Sequence, residues 1–141
     1  MGFLVKKVDI MSLLDILWTY SERNQWQLKK CNTNNLWIWD EVFKLIDTND
    51  LIEFLKNNPV NKRKYITEFH DCDDFCYELM GNVSTWYPEG SFGMVWGNRA
   101  KDNVVHAWNF FVNEINEIMY VETQTDEIFA PATENVWIMI I

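Results

Sequence analysis

The stretch DCDDFCYELMGNVSTWYPEGSFGMVWG, residues 71–97, contains the change of period that decides the fold. At its start Cys72, Phe75, Cys76 and Leu79 recur at three- and four-residue spacing, which predicts a helix over 72–80 closed by Gly81-Asn82. At its end, SFGMVWG (91–97) alternates with period two. NVVHAWNFFVN (103–113), EIMYVET (117–123) and ENVWIMII (134–141) repeat that alternation and read as strands. Upstream the period is helical. Asp9 can cap a helix carrying Ile10, Leu13, Leu14, Leu17 and Trp18, and NNLWIWDEVFKLID suggests a second. Asp47 or Thr48 opens a third through Leu51, Ile52 and Leu55, stopped by Asn58-Pro59. Helices followed by an antiparallel sheet give an α+β fold, with a mainly helical subregion 1–64 and a Cys-helix plus sheet over 65–141, in a single domain over 1–141.

Charge narrows the partners. Residues 1–70 hold ten Lys/Arg against nine Asp/Glu, and residues 71–141 hold two against twelve, so the whole net charge of −9 comes from the second half. Such a surface repels a phosphate backbone and favours cations, which argues against nucleic acid. No apolar run reaches the ~18 residues of a membrane span. Three cysteines, Cys31, Cys72 and Cys76, cannot all pair within one chain, and the last two sit one helical turn apart, so a reducing, cytoplasmic setting is expected.

The chemistry concentrates at Cys72. A thiol in the first turn of a helix faces unpaired N–H groups and the positive end of the macrodipole, both of which favour a thiolate. Asp71, Asp73 and Asp74 oppose it, so a cationic neighbour is required; Cys72 is otherwise one more small residue on a buried helical face. His106 is the candidate cation. It shares a strand face with Trp108, Phe110 and Val112, whereas Asn109 falls on the opposite face. With the hairpin turning around 113–116, partners sum near 228, which sets His106 opposite or diagonal to Glu122 on the next strand. A carboxylate there fixes the imidazole tautomer and stabilises its protonated form. Nucleophile, base and orienting acid then follow one another along the chain.

Order and spacing resemble the papain and transglutaminase-like superfamily. CDDFCYELMG together with HAWNFFVNEINEIMYVETQTDEIF resembles, over roughly residues 65–130, the C-terminal cysteine-protease domain of MOA-type mushroom agglutinins, related stand-alone domains of which occur in phage and bacterial proteins. The resemblance implies Cys72 as nucleophile, His106 as base, Glu122 as orienting acid, and calcium-dependent activity with ligands among nearby acids. Two departures stand out. The sugar-binding β-trefoil of the agglutinins has no counterpart, so glycan recognition does not carry over. The usual oxyanion glutamine is also missing, Gln25 and Gln27 being distant.

Oxygen ligands for calcium are expected from Asp73, Asp74, Asp126 or Glu127, while His70, Cys72 and Cys76 lack the fourth ligand that zinc needs. Trp86, Tyr87 and Trp96 are expected as cleft walls, with core packing the competing role for each. The leading expectation is a papain-like cysteine hydrolase acting on a peptide or protein. The alternative is a binding module on the same scaffold, such as a phage-type anti-defence protein that sequesters a small signalling ligand or blocks a host protein.

Overall fold

A computed structural model describes residues 5–30 and 33–141; Cys31 lies outside them. Two α-helices come first, α1 (Ile10–Asn24) and α2 (Thr48–Asn57), and a third, α3 (Cys72–Trp86), follows them. Three short strands, β1 (Lys7–Asp9), β2 (Leu36–Trp37) and β3 (Val42–Lys44), lie in the first half. Strands β4 (Phe92–Asn98), β5 (Val105–Val112), β6 (Ile118–Glu122), β7 (Glu127–Phe129) and β8 (Asn135–Ile140) make up the second. The fold is α+β.

Aspartates start the first two helices as their spacing predicts. The Ser12 N–H donates to Asp9 Oδ1 at 2.8 Å and the Asp50 N–H to Asp47 Oδ1 at 3.0 Å. The main sheet runs β2-β8-β4-β5-β6-β7 and is mixed rather than purely antiparallel, because β2 joins β8 in parallel; β1 and β3 form a separate antiparallel pair. Helix α1 covers one face of the main sheet, packing Leu13 and Leu17 into a core shared with Trp108, Phe110, Val112 and Tyr120. Helices α2 and α3 cover the other, where Leu51, Leu55, Phe75, Leu79 and Val83 meet Phe111 and Val121. Consecutive residues of β5 therefore address different layers.

Two of the predicted elements change. The segment NNLWIWDEVFKLID is not helical: it forms a 3₁₀ turn (Thr33–Asn35), β2 and β3. Leu36 pairs with Met139, and in β3 Phe43 is buried between outward-facing Val42 and Lys44, a period of two hidden in a short run. Helix α3 does not stop at Gly81 but continues to Trp86. Val83 extends the Cys76–Leu79 face into the core, and no glycine among the described residues has the positive φ of a helix-closing residue. The β5–β6 register pairs Phe110 with Tyr120 and Val112 with Ile118, a sum of 230. His106 and Glu122 are thus diagonal, two residues out of direct opposition.

Candidate active site

Three elements converge where β5 begins and β6 ends. Helix α3 presents Cys72 as its first residue, behind a capping box in which the Asp71 N–H donates to Asp74 Oδ2 at 3.2 Å. Strand β5 contributes His106 and strand β6 contributes Glu122 on the same sheet face. Buried Asn109, on the opposite face, locks the helix to the sheet: its amide donates to the carbonyls of Cys76 (3.3 Å) and Gly93 (3.0 Å) and its oxygen accepts from Thr123 Oγ1. That lock holds Cys72 at the strand ends, where it shares a cavity of about 340 Å³ with Tyr65, Arg99, Val104, Val105, His106 and Gln124.

His106 lies between two partners. Its Nε2 sits 2.8 Å from Glu122 Oε2, and Cys72 lines the same cavity as the ring. Burial works against the charged ring, but hydrogen bonds to Cys72 and Glu122 overcome it, and the imidazole is raised to about 9. The second thiol on the helix behaves differently. Cys76 is fully buried beneath the sheet, and burial pushes its thiol far up, so it stays protonated.

The expected wall aromatics are elsewhere. Because α3 runs on past Gly81, Trp86 and Tyr87 lie at its far end, about 20 Å along the axis from Cys72 at ~1.5 Å per residue. There Trp86 stacks on Phe54 at 4.5 Å and Tyr87 is buried, its hydroxyl donating to the Leu45 carbonyl at 3.4 Å. Trp96 meets Tyr77 edge to face at 6.0 Å on the α3 side of β4. None of the three lines the cavity. Apart from Cys72 and His106, the residues that do were not singled out in the sequence. Gln124 is two positions beyond Glu122 and so on its face, the one signal available, while Arg99, Val104 and Val105 arrive through the β4–β5 turn.

The acids divide likewise. Asp71, Asp73 and Asp74 bring carboxylate oxygens within 4.8 Å of one another at the start of α3. Asp126 stands apart in the β6–β7 turn, its N–H donating to the Glu122 carbonyl at 2.8 Å, and Asp71, the helix cap, takes its place in the group. A hydrogen bond to Asp73, together with burial and the charge of Asp73, raises the Asp71 carboxyl, a sign of crowding among these groups. An all-oxygen, triply acidic donor set fits a hard divalent cation. No described helix is long and apolar enough to cross a membrane.

No family model and no curated protein matches the sequence. Solved structures do. One, a PSL1a–E64 complex, superposes with a TM-score of 0.73 at 16% identity, over 96% of this chain and 50% of that one. Another, Polyporus squamosus lectin bound to the human-type influenza-binding epitope Neu5Aca2-6Galb1-4GlcNAc, gives 0.62 at 18% identity, over 76% of this chain and 42% of its own. The chain shares their fold. It spans about half the length of each, and at these identities the likeness carries architecture alone.

Proposed function

We propose that the cleft at the start of α3 binds a peptide or small ligand, and that Cys72 acts on it as the nucleophile of a cysteine hydrolase. The supporting observation is His106, held by Glu122 through Nε2, sharing a cavity with Cys72, and raised to about 9. In this reading His106 takes the proton of Cys72, and the sulfur adds to the substrate carbonyl carbon. His106 returns the proton to the departing amine, leaving a thioester. A water molecule, deprotonated by the same imidazole, then releases the acid and restores the thiol. Glu122 orients the ring throughout. Asp71, Asp73 and Asp74 are proposed to hold calcium, whose charge would relieve their mutual repulsion and steady the helix start.

Brief alkylation with iodoacetamide, mapped peptide by peptide, tests the pairing. Cys72 should label well ahead of buried Cys76, and His106→Ala should remove most of that advantage below pH 9. Above it, as His106 loses its proton, the two proteins should converge. Equal labelling of Cys72 with and without His106 at every pH would make it a packing residue. The thiol-directed epoxide E64, with which one structural neighbour forms a complex, gives a second probe of the same sulfur.

A second reading, a binding module without turnover, is supported by the lectin neighbour, whose structure holds a glycan epitope. It keeps the cleft and drops the hydrolysis. Fast Cys72 labelling with no cleavage across a diverse peptide mixture would favour it.

A further inference from the structure

On the α1 face of the sheet a larger cavity, about 410 Å³, adjoins His106 and Glu122. Trp108 and Phe129 form its apolar part, and Arg99, Lys101, Glu127 and Glu134 supply charge. Part of that charge is already matched, while Lys101 and Glu127 form no ion pair among the described residues. Glu122 is paired with His106, and Arg99 donates two bonds of 2.8 Å to Asp102. Glu134 is not matched. It is 6% exposed, and its Oε2 accepts one hydrogen bond, from the Ala132 N–H at 2.7 Å. No lysine, arginine or histidine among the described residues forms an ion pair with it. A carboxylate removed from water without a counter-charge is costly and normally finds a partner.

We propose that this cavity is a recognition pocket for a cationic side chain, of lysine or arginine type, with Glu134 as its counter-charge. The aliphatic stem would lie along Trp108 and Phe129, and the cationic head would reach Glu134, with Glu127 adding charge at the mouth. The indole N–H of Trp108 is also buried without a partner. Cationic peptides also suit the acidic half of the chain in which the pocket lies. Tyr120 shows that the unpaired charge is felt inside: burial, and then Glu134, push its phenol well up. The pocket rests on the ligand binding proposed for the cleft and not on turnover.

The experiment uses Cys72→Ala, which has no nucleophile, so its outcome is separable from that of the alkylation test. N-acetyl-arginine amide, N-acetyl-norleucine amide and N-acetyl-glutamate amide are titrated while the Trp108 indole N–H resonance is followed, assigned by its loss in Trp108→Phe. The arginine compound should move that resonance and bind at least about tenfold more tightly than the norleucine compound. Adding Glu134→Gln should abolish the difference while leaving norleucine binding unchanged, since the amide can still accept from Ala132. Equal binding of the three compounds, no movement of Trp108, or a preference that survives Glu134→Gln would overturn the pocket. Should Glu134→Gln fail to fold, the three compounds on the Cys72→Ala protein decide alone.

Discussion

Burial by itself would strip the proton from His106, because an imidazolium loses hydration when covered. Cys72 and Glu122 reverse that outcome and raise the ring from 6.5 to about 9. Folding therefore gains from this proton: the contribution is complete below pH 6.5 and disappears as the pH climbs through about 9. Glu122→Gln preserves shape and removes the counter-charge. We expect the His106 titration, followed by NMR, to drop by about one unit or more in that variant. The melting-temperature gap between the two proteins should be widest near pH 6.5 and close above pH 9. An unchanged His106 midpoint would reduce Glu122 to a bystander at the strand end.

Within elements, α3 offers the sharpest contrast between what the sequence reveals and what it hides. Its start was legible, since Cys72, Phe75, Cys76 and Leu79 begin an apolar face straight after Asp71. Its end was not. Gly81 followed by a polar Asn82 looks like a stop, yet the buried contact made by Val83 outweighs the weak helix propensity of one glycine. Gly81 is thus an interior helical residue, and a Cβ there would meet nothing within 4 Å. Gly81→Ala should accordingly stabilise the protein by ~0.5–1 kcal/mol, as read by denaturant midpoint at unchanged slope. Destabilisation would mean that the helix does end there. The His106–Glu122 pairing was readable because both lie in consecutive strands joined by a short turn around 113–116. The two- and three-residue strands β2 and β3 escaped because their pairing is set by β8 and β1, far away in sequence. The cleft walls escaped for a related reason: Arg99 and Gln124 reach Cys72 only through tertiary turns.

At the scale of the whole molecule, the charge asymmetry visible in the sequence becomes local, with three carboxylates at the head of the helix that carries the thiol. If they hold calcium, millimolar calcium should raise the melting temperature by mass action on the native state, and Asp73→Asn should blunt the rise. An identical melting temperature with calcium and with chelator would remove the ion from the account. The order of the sheet has a different consequence. Strand β8 lies between β2 and β4, and every other strand of that sheet precedes it in the chain. During translation β4 through β7 can pair as they emerge, but β2 has no neighbour and β4 keeps a bare edge until residues 135–140 have left the ribosome. The nascent chain must therefore carry an open, adhesive edge on β4 while residues 99–134 are made, and its yield in a cell should depend on whatever shields that edge in the meantime.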